Sequence, residues 1–95
     1  MTEVEQLWED VEKKVKDLEI LLLNEGKQRF LLSLPQRILG MMDGCGRNKI
    51  STFIILTILD EYTKRKQAAP FSDKSLSLIN DIRADFLKLK GSYLK

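Results

Sequence analysis

Residues 49–67 read KISTFIILTILDEYTKRKQ, and the fold turns on whether they form a strand or a helix. Ile50, Phe53, Ile54, Ile55, Leu56, Ile58 and Leu59 make the first half rich in strand-favouring types. The stretch then continues through Asp60, Glu61, Tyr62, Thr63 and Lys64 without a breaker. Ile55, Ile58, Leu59 and Tyr62 recur at helical intervals. Asn48 or Ser51 can cap the start, and the basic residues fall in the last turns, where they favour the helix dipole. The spacing therefore predicts one helix over 49–67. Its first half is apolar on nearly every face, which predicts the central, most enclosed element of the domain.

Upstream, Val4, Trp8, Val11, Val15, Leu18 and Leu22 are spaced four, three, four, three and four apart. That is one apolar stripe on a helix, with Glu, Asp and Lys filling most positions between. Thr2 and Glu5 have the spacing of a capping box. Gly26 suits a left-handed stop. The helix is read over 3–24. In the next segment Pro35 fits best in the first turn of a helix, with Ser33 before it as a cap. A short helix is read over 34–43, ending before the Gly44-Cys45-Gly46 connection. Residues 68–71 read as a linker. Ser72 is a good N-cap, and Leu76, Ile79, Ile82, Phe86, Leu89 and Tyr93 form a stripe on a last helix, read over 73–90 with Gly91 as its end. The fold expectation is all-α in one domain over 1–95: a compact four-helix bundle or an orthogonal helical array.

Composition narrows the function classes. The chain has 95 residues, 43% hydrophobic and 32% charged, which suits a single folded domain rather than a disordered one. It has no histidine, so the usual general base, pH switch and commonest metal ligand are missing. Its one cysteine, Cys45, cannot form an internal disulfide or a zinc cluster. A reducing compartment is expected: cytoplasmic, or nuclear in a eukaryote. The first ten residues carry four acids and no base, unlike a secretory leader. Residues 50–59 are about half the length needed to span a bilayer.

The candidates for chemistry are thin. Asp10, Asp17, Asp60, Glu61, Asp81 and Asp85 lie beside basic residues and read as ordinary solvated faces. A di-metal carboxylate bundle needs histidines at set helical spacing. Cys45 sits near Arg47 and Lys49 but has no histidine to activate it, so it reads as an incidental small residue. No catalytic residue, cofactor or metal is expected, and a non-enzymatic protein is.

Two binding surfaces remain. The first-helix stripe of Val4, Leu7, Trp8, Val11, Val15 and Leu18 predicts a protein interface, either with a second copy or with another helical protein. Val4, Leu7, Trp8 and Val11 left bare would expose roughly 300 Å², near the upper size of an ordinary monomer patch. Trp8 is the expected anchor. The alternative is a small nucleic-acid-binding regulator. Residues 1–23 carry seven acids and three bases, whereas residues 24–95 carry seven acids and thirteen bases. Arg29, Arg37, Arg47, Lys49, Lys64, Arg65 and Lys66, if brought together, could neutralise phosphates.

Overall fold

The computed structural model describes residues 2–27, 29–64 and 71–95. Four helices follow in order: α1 (Glu3–Asn24), α2 (Arg29–Cys45), α3 (Lys49–Lys64) and α4 (Asp73–Tyr93). Each start and stop has a local cause. Thr2 Oγ1 accepts from the Glu5 N–H at 3.2 Å and opens α1. Gly26, at φ +66°, closes it, with Gly26 N–H donating to the Leu23 carbonyl and Lys27 N–H to that of Leu22. Asn48 Oδ1 accepts from Ser51 N–H at 2.9 Å, while Ser51 Oγ accepts from Asn48 N–H at 3.1 Å. This reciprocal pair caps α3 with a serine where a capping box has a glutamate. Ser72 Oγ accepts from Ser75 N–H and caps α4.

The helices form a closed ring. α1 and α3 each pack on α2 and α4, and among the described residues neither diagonal pair meets. Contacts across each neighbouring pair show opposed directions. The start of α1 meets the end of α4 through Trp8 and Tyr93, and Lys14 meets Asp85. Phe30 and Arg37 near the start of α2 meet Tyr62 near the end of α3. Phe53 early in α3 lies beneath Lys90 late in α4. The molecule is therefore an up-down-up-down four-helix bundle and not an orthogonal array. Its extents of 38 × 24 × 23 Å match one long helix by two helix diameters.

The core runs along the bundle axis. Val11, Val15, Leu18 and Leu22 of α1 face Leu31, Leu34 and Ile38 of α2, Ile55 and Leu59 of α3, and Ile79, Ile82, Phe86 and Leu89 of α4. The α1 stripe expected as an interface lies in this core. Trp8 is only 2% exposed, and Val11, Val15 and Leu18 are completely covered by the chain's own helices. Val4 and Leu7 are half-buried against the same core. The stripe is covered because α1 has two neighbours, α2 on one side and α4 on the other, whereas a single short helix could not have covered it.

Three further expectations change. α2 starts at Arg29, so Pro35 lies inside it and Ser33 does not cap it. Proline in a helix interior costs roughly 3 kcal/mol. Against that cost stand the burial of Leu31 and Leu34 and the stacking of Phe30 on Tyr62 at 5.1 Å. Ser33 instead donates to the Phe30 carbonyl and shares a hydrogen bond with the Tyr62 hydroxyl at 2.6 Å. α4 runs through Gly91 to Tyr93, because Tyr93 packs against the core and accepts from Trp8. α3 is not central. It has two neighbours like the others, and Ile50 and Ile54 on it are exposed. The expected extension of α3 over 65–67, and residues 68–70 of the expected linker, lie outside the described residues.

Ion pairs tie the connections down. Arg47 reaches from the α2–α3 turn to Glu9, at 3.1 Å, and to Glu12 of α1. The hydrogen bond from Lys16, followed by the charge of Arg47, holds the Glu12 carboxyl below its usual value of 4.5, against the opposing pull of partial burial. A carboxyl lowered in the folded state adds stability above its usual value and loses it as pH falls through the lowered one. Arg47→Ala is therefore expected to lower stability by roughly 0.5–1 kcal/mol at neutral pH. The difference should vanish in strong acid, where neither carboxylate that Arg47 meets keeps its charge. Thermal melts of the two proteins along a pH series check this.

Candidate functional site

A groove of about 460 Å³ runs along the outside of the bundle between α2 and α3. Arg37, Gly40, Met41 and Cys45 line it from α2, and Ile54, Thr57, Ile58 and Glu61 from α3. Helix geometry explains the list. Residues 37, 41 and 45 are four apart, as are 54 and 58, and 57 and 61, so they stack along facing helix edges. Arg37 meets Glu61 across the groove, and because the helices run in opposite directions that register sets Met41 near the level of Thr57 and Cys45 near that of Ile54. Gly40 leaves open space on the α2 wall. A Cβ built there meets no neighbouring atom within 4 Å, so the wall is missing a side chain rather than filled by one.

The groove is apolar along its length and charged at one end. Arg37 and Glu61 approach to 3.7 Å and are each about half exposed, 47% and 49%. The Arg37 guanidinium also lies over the Tyr62 ring at 5.7 Å and reaches its hydroxyl at 3.5 Å. That hydrogen bond, with help from Glu61, raises the Arg37 pKa further above its usual value, so the charge is permanent. At the other end lie Cys45, which is exposed, and Ile54. One turn beyond Ile54, Ile50 stands 68% exposed. The Thr57 hydroxyl is taken up by the Phe53 carbonyl at 3.1 Å.

In this groove the Thr57 hydroxyl donates to the Phe53 carbonyl, Glu61 is engaged by Arg37, and the sequence has no histidine to serve as a base. Among the described residues, no three Cys, Asp or Glu side chains gather as a metal-ligand group. The arrangement suits apolar side chains, oriented by one positive and one negative group at a single end. Comparison with protein-family models, with curated proteins and with solved structures gave no match. The functional reading therefore rests on the chain's own geometry.

Among the described residues, the expected nucleic-acid residues do not gather at one place. Arg29 and Lys64 lie at one end of the α2–α3 pair, and Arg47 and Lys49 at the other. Lys49 and Lys64 are separated by fifteen residues of helix, roughly 22 Å. Three of the cations face carboxylates: Arg37 with Glu61, Arg47 with Glu9 and Glu12, and Lys64 with Asp60 at 3.7 Å. Arg65 and Lys66 lie outside the described residues. The acidic excess on α1 is thus partly matched within the chain rather than left facing a basic patch.

The sequence does not reveal the groove, because a helix apolar on nearly every face reads as enclosed. The available signal was the apolar character of both Ile50 and Ile54. A helix with only two neighbours covers about half its circumference. Apolar residues on the remaining arc stay in water unless another molecule covers them. Ile20 and Leu23 on α1 and Leu87 and Leu94 on α4 are exposed as well, which is ordinary for a small domain. The α2–α3 groove differs because exposed Ile54 lines a concavity. Another hollow, about 350 Å³ along α1, is lined by Glu9, Glu12, Lys13, Lys16 and Asp17 and is charged throughout.

Proposed function

We propose that this chain is a non-enzymatic helical protein-interaction module whose binding face is the α2–α3 groove. The observation that carries the reading is that exposed Ile54 lines the same groove as the open space at Gly40, with exposed Ile50 one helical turn beyond. Exposed β-branched side chains beside a concave apolar strip gain by being covered, at roughly 25 cal/mol per Å² of apolar surface removed from water. The mechanism is helix-face docking. Apolar contacts supply affinity, and the Arg37–Glu61 pair at one end sets orientation. The absence of histidine and the engagement of Glu61 with Arg37 support a binding role over a catalytic one. Among the described residues no helix is long and apolar enough to cross a membrane.

Site-specific photocrosslinking tests this. A photoreactive amino acid at Ile54, in the native host, is expected to give discrete protein adducts. The same amino acid at exposed Lys88 on α4 serves as the comparison and is expected to give none. Equal labelling from both positions, or no protein adduct from Ile54, would overturn the reading.

A further inference from the structure

Resting on that reading, we infer that the occupant of the groove is a second copy of this chain, packed face to face about a two-fold axis running along the helices. Arg37 and Glu61 lie at one level on opposite walls, and helical register carries that match along the groove to Cys45 and Ile54, which line its other end. A two-fold axis parallel to the helices lays α2 of one copy over α3 of the other with levels matched. Arg37 then meets Glu61 of the second copy, and Glu61 meets Arg37 of the second copy. The four charges form a ring in which every neighbour is opposite in sign. Each group has capacity for a second partner, because both are half exposed and their present separation of 3.7 Å is long.

Shape agrees with charge. The same operation sets Ile54 of one copy against Cys45 and Met41 of the other. At the centre it sets Gly40 opposite Thr57, two small residues that let the helices approach closely. Area is sufficient. The accessible surface of 5874 Å² spread over four sides and two ends leaves roughly 1,000 Å² per side. A stable interface needs about 800 Å² from each partner.

Charge also separates the second copy from other occupants. A nucleic acid would set phosphate against Glu61. A helix of single charge sign would satisfy Arg37 or Glu61 and repel the other. The required partner carries both charges in exchanged positions on an apolar strip, and this chain has that surface.

Sedimentation equilibrium from low micromolar to submillimolar concentration is the test, using Arg37→Glu, Glu61→Arg, Ile54→Asp and, as a control, Lys88→Glu. The native chain and Lys88→Glu are expected to dimerise. Arg37→Glu alone fills the ring with negative charge, and Glu61→Arg alone with positive charge. Each should weaken self-association by roughly tenfold or more. An equimolar mixture of the two should recover a one-to-one dimer, since each copy then supplies what the other lacks. Ile54→Asp should dissociate the dimer without touching the ion pairs, which keeps the test valid if a reversal at Arg37 or Glu61 unfolds the chain. A native chain that stays monomeric throughout overturns the second copy as occupant, while adducts from Ile54 to other proteins would leave the binding face standing. A native dimer indifferent to Ile54→Asp and to both reversals overturns the proposal by placing the contact on another face.

Discussion

Trp8→Ala is expected to destabilise the folded chain by about 3–5 kcal/mol, the range for removing a large buried aromatic. The indole is 2% exposed, lies edge-on to Phe86 with ring centroids 5.7 Å apart, and donates its N–H to the Tyr93 hydroxyl at 2.8 Å. One side chain thus closes the start of α1 onto the end of α4. Domains of this kind have about 5–15 kcal/mol of stability in total, so the loss takes much of it. At roughly 4–8 °C per kcal/mol for a domain of this size, the melting temperature should fall by tens of degrees. Tyr93→Phe removes only the hydrogen bond from a half-buried site and should cost about 1 kcal/mol. Urea titrations of the three proteins decide the matter. An exposed anchor would behave otherwise: Trp8→Ala would melt like the native chain and lose only a partner. Indole emission should likewise stay unchanged on dilution, since every group around Trp8 belongs to its own chain.

The second large effect is expected at Lys14. Its ammonium meets the Asp85 carboxylate at 2.8 Å, and the Asp85 side chain is only 8% exposed. Lys14→Ala leaves that carboxylate among core residues without its cation. Breaking a fully buried pair costs about 3–5 kcal/mol, and because Lys14 is itself 36% exposed the expected cost here is nearer 2 kcal/mol. Replacing both partners by apolar groups removes the uncompensated charge along with the pair. Lys14→Met combined with Asp85→Leu should therefore recover most of what Lys14→Ala loses. Denaturant midpoints of the single and double variants measure the difference. A double variant as unstable as Lys14→Ala would show that Asp85 owes its place to something besides this pair.

Both effects depend on contacts that the sequence could not announce. Trp8 and Tyr93 are 85 residues apart, and Lys14 and Asp85 are 71 apart. The α1 stripe was legible because burial on one side of a helix leaves a repeat of three and four residues in the chain. The final stripe was also legible, and its own spacing reached Tyr93, past the glycine read as a stop. An isolated glycine costs a helix roughly 1 kcal/mol, which the packing and hydrogen bond of Tyr93 offset. The same kind of offset carried α2 through Pro35. In both places local propensity pointed to a boundary that burial overrode.

The candidate site was less legible. Ile50 and Ile54 were visible as apolar residues, but the sequence placed them inside the domain. Gly40 carried no signal of its own, since a glycine in a helix interior reads as a small cost rather than a missing wall.

By itself the sequence determined that the chain is all-α, which residues share a helix face, and that no histidine is present for the commonest proton-transfer and metal chemistry. Tertiary structure alone decided what covers each face. It put α1 between α2 and α4, spread the basic residues along both ends of the α2–α3 pair, and left one side of an apolar α3 in water. The physical reason is that periodicity records the direction in which a helix is apolar, a local property of the chain. What lies in that direction depends on how many neighbours a ring of four helices gives to each.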